Sequence, residues 1–270
     1  MLEDCGIVYP PTPTDVVLDY LGLPMREIDY AEFPDPGMSE VKQKAPSMLL
    51  TLGERATIFV DKDMGEGRKR LSVFHECGHA HIPWHRGRTY YRCKEVNRDS
   101  DSVDYLERQA YEYAAELLMP RGMFYKAMVD FPIALDASRE LSRLFVASFE
   151  ATAIRYAKFH PGICCLVKCE PVPAEEEGSN HYSLRVTYCV PSHRFPKYWR
   201  PGTLIANSIG EYCSPILYAH TSGQSVCDEI PASVFGSRSG GRLKAECKPI
   251  GVGGHVFTLL WMPDRQLTVL

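Results

Sequence analysis

The feature that most constrains this chain is the pentapeptide His75-Glu76-Cys77-Gly78-His79. On an α-helix, residues four positions apart lie on one face, one turn apart, so the imidazoles of His75 and His79 can bind the same tetrahedral zinc ion. Glu76 is displaced around the helix and would lie beside the metal, where its carboxylate can take a proton from a water that zinc has made acidic. The motif therefore predicts a zinc hydrolase with Glu76 as its catalytic base.

The residues around the motif agree with this prediction. An apolar run at 48–52, a turn at 53–55 and a return run at 56–60 rich in β-branched and aromatic residues predict a hairpin just before the motif helix, which is the setting of a zincin. We expect an extended substrate to pair with the strand Ala56–Val60. Gly78 costs about 1 kcal/mol relative to Ala inside a helix, so its presence indicates that a neighbouring element comes close at this point.

Two residues compete to be the third protein ligand. His85 lies six residues after His79, which is the metzincin spacing, but the Gly that metzincins carry three residues after the second His is here Ile82. Glu107 lies at the edge of the apolar stripe of a predicted helix, where a lone carboxylate would be costly without a cation. We favour Glu107, with His85 second and Asp104 third. The stripe consists of Val103, Leu106, Ala110, Ala114 and Leu117.

Three ordered blocks within residues 45–160 resemble the ImmA/IrrE family of metallo-endopeptidases. They are His-Glu-x-Gly-His at 75–79, the run Glu-x-x-Ala-x-x-x-Ala-Ala-Glu-Leu-Leu-Met-Pro at 107–120, and the segment 141–155. The resemblance implies a gluzincin-like site in which His75, His79 and Glu107 bind zinc, with Mn²⁺ or Fe²⁺ as alternatives, and Glu76 acts as general base. One departure is Tyr111, where the family often has Asn.

The resemblance also implies a substrate and a role. The expected substrate is a helix-turn-helix transcriptional repressor, cut so that a stress or mobile-element operon is derepressed. The alternative is a non-catalytic, zinc-stabilised regulatory module that binds a repressor, or DNA, without cleaving it; such a module has no need of Glu76. We expect no direct DNA binding, because 30 basic against 34 acidic residues give a formal net charge of −4.

The predicted fold class is α+β, in three parts. Residues 1–128 form a zincin-like peptidase domain, 129–160 a helical, helix-turn-helix-like extension, and 161–270 an antiparallel β-rich domain of sensor or docking type. The resemblance suggests that this last domain is GAF-like, as in the radiation-response members of the family. No apolar run approaches the ~18 residues of a membrane span, and the ten cysteines show no C-x-x-C pair. Together with an N-terminus that lacks signal-peptide features, this predicts a cytoplasmic protein with reduced thiols and no membrane partner.

Overall fold

The structure is a computed structural model that describes residues 1–29, 47–52, 55–85, 90–92, 105–171, 184–195, 214–235, 241–251 and 253–262 of the 270. Within these ranges the chain is α+β, as predicted, and its residues form two compact units. The first unit comprises residues 1–127 and 141–148, and the second comprises 128–140 and 149–270. No helix in the described ranges has the length and apolar character needed to span a membrane.

The first unit contains a four-stranded sheet and the helices that carry the motif residues. The predicted hairpin is confirmed. The elements in chain order are α1 (Thr14–Leu21), β1 (Met25–Ile28), β2 (Ser47–Leu52), β3 (Arg55–Asp61), α2 (Glu66–His81), a 3-10 turn (Pro83–His85), β4 (Tyr90–Arg92), α3 (Tyr105–Leu118) and α4 (Arg121–Met128).

The order of strands in this sheet is β1-β3-β2-β4. β3 pairs in parallel with β1 on one side and antiparallel with β2 on the other, and β4 pairs antiparallel with β2. The expectation that substrate pairs with Ala56–Val60 is therefore wrong, because β2 pairs along β3 on one side and β1 pairs with Ile58–Asp61 on the other. The described edges of the sheet are β1 and β4.

The motif helix α2 lies against β2 and β3 and packs along α3. The two helices meet closely at Gly78, where an added Cβ would lie 3.1 Å from Ala110 Cα and 3.2 Å from Ala110 O. The close approach predicted for Gly78 is confirmed. The described part of the apolar stripe of α3 is buried as well, and Glu107 lies one turn before Ala110, on the side that faces α2.

Two further helices, α5 (Leu135–Phe145) and α6 (Phe149–Phe159), correspond to the predicted helical extension. They do not form a unit of their own. The end of α5 belongs to the first unit, where Phe145 packs against Phe124, and its start belongs to the second, where the backbone N–H of Leu135 donates to Glu246. The residues of 129–160 are thus divided between the two units.

A buried arginine ties α2 to other parts of the first unit. Arg70 is 5% exposed, and its guanidinium donates hydrogen bonds to three backbone carbonyls. The acceptors are Phe145 O at 2.6 Å, Val146 O at 2.9 Å and Thr12 O at 2.6 Å. These bonds connect α2 to the end of α5 and to the N-terminal segment.

After α6, the described elements of the second unit are β5 (Cys164–Pro171), β6 (Leu184–Pro191), α7 (Ser214–Ser222), β7 (Val226–Pro231), a 3-10 turn (Ala232–Phe235), β8 (Arg242–Pro249) and β9 (Val256–Trp261). The strands form a five-stranded antiparallel sheet in the order β6-β5-β9-β8-β7. α6 covers one face and α7 contributes to the apolar core on the other, and the adjacent Cys164 and Cys165 of β5 point to these opposite faces. The β-rich character is confirmed, whereas the GAF-like assignment stays a prediction.

Candidate metal centre

The side chains of His75 and His79 on α2 meet that of Glu107 on α3. The two histidine Nε2 atoms are 3.1 Å apart, His75 Nε2 is 3.2 Å from Glu107 Oε2, and His79 Nε2 is 3.4 Å from Glu107 Oε1. With metal–ligand bonds of about 2.0–2.1 Å, the donor atoms of a tetrahedral zinc site are about 3.3–3.4 Å apart. The three side chains therefore have the spacing that a single metal ion requires. In the described part of the chain, no other set of three His, Cys, Asp or Glu side chains converges in this way.

The charges at this cluster also suit a cation. Burial alone would raise the pKa of the Glu107 carboxyl, but hydrogen bonds and charge interactions with His75 and His79 outweigh burial and lower this pKa to about 2. Glu107 is therefore ionised at neutral pH. Two imidazoles and a carboxylate form a ligand set that suits zinc, manganese and iron alike. The buried His-His-Glu group could thus hold a metal ion.

Glu76 is completely buried and is held by a residue from the sheet. The hydroxyl of Ser47, the first residue of β2, donates a hydrogen bond of 2.7 Å to Glu76 Oε1. Ser47 itself is 2% exposed. The sequence reasoning missed Ser47, since it lies 29 residues before Glu76 and belongs to no motif or periodic pattern.

His85, the competing third ligand, lies on the other side of the His79 ring. His85 Nδ1 is 3.1 Å from His79 Nδ1, while His85 Nε2 is 3.2 Å from Gln109 Oε1. The structure thus brings Glu107, and not His85, to the two Nε2 atoms. Asp104, the third candidate, lies outside the described residues.

Two further residues of the motif region have clear surroundings. The ring of Tyr111, the residue that departs from the family pattern, packs against His75 with their centroids 4.2 Å apart. Cys77 is fully buried, and burial raises the pKa of its thiol to about 12. Cys77 therefore acts as a small apolar side chain, not as a reactive thiol.

Comparisons with known proteins agree with this site. The sequence model of the Peptidase_M78 family, described as the IrrE N-terminal-like domain, matches residues 18–156, just over half of the chain. No curated protein matches the chain. Among solved structures, a Mycobacterium tuberculosis transcriptional regulator is similar at 12% sequence identity with a TM-score of 0.57, over 100% of this chain and 78% of that chain. At this identity the similarity shows a shared fold alone.

Proposed function

Because this chain belongs to the Peptidase_M78 family of IrrE N-terminal-like domains, we propose that it is a zinc-dependent metallo-endopeptidase. The observation that carries the proposal is the convergence of His75, His79 and Glu107 next to a buried glutamate on the same helix. Zinc is the metal we propose, and Mn²⁺ or Fe²⁺ could take its place in this ligand set.

The catalytic roles follow from the chemistry of each side chain. A metal held by His75, His79 and Glu107 would supply a Lewis acid that polarises the scissile carbonyl and lowers the pKa of a water from ~15.7 to about 7. Glu76 would accept the proton of the attacking water and deliver it to the leaving amine. Ser47 would restrict the rotation of the Glu76 carboxylate through its hydrogen bond to Oε1, which keeps the base in one orientation between the two proton transfers.

The substrate we propose is a helix-turn-helix transcriptional repressor, cut at a single site so that a stress or mobile-element operon is derepressed. The ImmA/IrrE resemblance supports this class of substrate. The structural similarity to a transcriptional regulator shows a shared fold alone, and a role in transcription is compatible with it. That same similarity is compatible with the alternative, a zinc-stabilised module that binds a repressor or DNA without cleaving it.

The test is a comparison of Glu76→Gln with the wild type and with Glu112→Gln, a matched change on the exposed face of α3. Each protein is assayed for metal content and is incubated with individually purified helix-turn-helix repressors from its own organism, followed by mass-spectrometric mapping of products. We expect Glu76→Gln to retain metal and lose cleavage, and Glu112→Gln to behave like the wild type. Cleavage by Glu76→Gln would remove Glu76 from the mechanism. Repressor binding without cleavage by all three proteins would establish the alternative.

A further inference from the structure

We propose that His85 and Gln109 form a positioning pair that fixes the tautomer and the ring orientation of His79. The proposal rests on the metal site put forward above and assigns to His85 a role other than metal ligand. It is carried by a continuous set of hydrogen-bond contacts that runs from Trp84 through Gln109 and His85 to His79.

The first step concerns the Gln109 amide. The indole Nε1 of Trp84 lies 2.8 Å from Gln109 Oε1, and an indole nitrogen can only donate. The atom it contacts must therefore be the carbonyl oxygen of the amide. The amide nitrogen of Gln109 then donates to the hydroxyl of Tyr105 at 3.0 Å, a contact that is compatible with this orientation because a hydroxyl can accept.

The second step concerns the protons on the two histidines. Because Gln109 Oε1 accepts, His85 Nε2, 3.2 Å away, carries the proton. In a neutral imidazole Nδ1 is then an acceptor, so His79 Nδ1, 3.1 Å away, is the donor. With a proton held on Nδ1, His79 can bind a metal only through Nε2, giving up any proton there, and Nε2 is the atom that faces His75 Nε2 and Glu107. The tautomer of His79 that metal binding requires is therefore set by His85, which contacts the other ring nitrogen, Nδ1.

The third step concerns the rigidity of this arrangement. His85 is fully buried. It is the last residue of the 3-10 turn Pro83–His85, which begins two residues after the end of α2. His75 differs, because its Nδ1 has no hydrogen-bond partner among the described residues. Support of this kind typically contributes about 10- to 100-fold to metal affinity. We therefore expect His85 to affect metal binding through its contact with His79.

The experiment measures zinc affinity by competition with a chromophoric chelator and compares the Co²⁺ absorption spectra of the same proteins. His85→Phe keeps a ring but removes the acceptor, so we expect zinc affinity about 10- to 100-fold below that of the wild type. His85→Asn should recover much of this loss, because Asn Oδ1 takes the place of His Nδ1 and can accept from His79. The control is His81→Phe, which removes an exposed histidine at the end of α2 and should leave the zinc affinity unchanged.

The Co²⁺ spectrum separates a positioning role from direct ligation. We expect His85→Phe to keep the wild-type band energies and intensities, since the ligand set is unchanged. An altered spectrum, an unchanged zinc affinity in His85→Phe, or no recovery in His85→Asn would overturn the proposal. Gln109→Leu leaves His85 in place, and we expect a smaller loss of affinity, so the proposal stays testable if His85→Phe does not fold. A wild-type protein that takes up no metal would refute the proposed function itself, whereas wild-type binding with equal binding by His85→Phe would refute only the positioning role.

Discussion

Replacing Gly78 with alanine tests the helix contact that brings the two parts of the metal site together. The new Cβ would lie 3.1 Å from Ala110 Cα, 3.2 Å from Ala110 O and 3.3 Å from Tyr113 Cβ. Non-bonded carbon atoms prefer separations of about 3.5–4.0 Å, so α3 must move away from α2 by about 0.5 Å at this point. No side-chain rotation relieves the contact with Ala110, because both atoms belong to its backbone.

The expected effect is larger on metal binding than on stability. Overpacking costs about 1–3 kcal/mol, and the higher helix propensity of alanine offsets about 1 kcal/mol of this, so the free energy of unfolding should fall by about 0–2 kcal/mol. Glu107 lies one turn before Ala110 and moves with α3, while His75 and His79 stay on α2. A displacement of about 0.5 Å reaches the tolerance within which a functional site must be held. We therefore expect zinc affinity to fall about tenfold, at the lower end of the losses seen when ligand support is disturbed.

Two other glycines provide matched controls, with zinc competition and urea unfolding measured for each variant. In Gly67→Ala the new Cβ would lie 2.7 Å from Ala147 C and 2.8 Å from Ser148 N, a more severe clash at a point about 12 Å along α2 from His75. This variant should lose more stability than Gly78→Ala but retain the wild-type zinc affinity. Gly122→Ala meets nothing within 4 Å and should change neither quantity by much. Wild-type zinc affinity in Gly78→Ala would refute the idea that the spacing of α2 and α3 sets the site.

Three more predictions concern Ser47, Arg70 and the cysteine thiols. Ser47→Ala removes the hydrogen-bond donor to Glu76, and a hydrogen bond to a charged group contributes about 1.5–3 kcal/mol. We therefore expect unchanged metal content, and cleavage of the repressor found in the Glu76→Gln experiment should be slower by about 10- to 100-fold. Arg70→Met leaves three backbone carbonyls without their donor, so the free energy of unfolding measured in urea should fall by at least ~3 kcal/mol. The control is Arg68→Met, on the exposed side of the same helix, which should change this free energy little. Burial raises the pKa values of the Cys77 and Cys164 thiols to about 12, so iodoacetamide at pH 8 should label the exposed Cys227 before either of them. Rapid labelling of Cys77 in the folded protein would contradict the burial described for it.

The elements with clear end signals could be predicted from the sequence. α1 follows Pro13 and ends at Gly22, which adopts the left-handed conformation with φ of 63°, so both boundaries are marked by residues that stop or start a helix. The order of strands was not predictable in the same way. β1 has four residues, three of them exposed and none fully buried, so it shows no alternation. Without β1, the strand β3 looks like an edge, and this explains why the expected substrate pairing was wrong.

The site was predictable where its residues share a helix and unpredictable where they meet through tertiary contacts. His75, Glu76 and His79 follow from helical periodicity alone. Ser47 reaches Glu76 from a strand 29 residues earlier, and the pairing of that strand with β3 decides where its hydroxyl lies. A lone serine at the start of a strand carries no signal of this contact, because any residue of that size would suit the strand itself.

The competition between His85 and Glu107 shows what spacing can and cannot decide. His85 was proposed for its metzincin spacing and Glu107 for its place at the edge of an apolar stripe. Both lie against His79 in the structure: Glu107 contacts Nε2 of its ring, and His85 contacts Nδ1. Spacing measures reach along the chain, but it does not say which of the two ring nitrogens a residue approaches. That choice depends on where the chain turns after α2 and on the close packing of α3 at Gly78, and neither is encoded in the motif. In the metal site proposed above, a histidine at metzincin spacing supports a ligand and is not one itself, because the two nitrogens of an imidazole let one side chain bind a metal and donate a hydrogen bond at the same time.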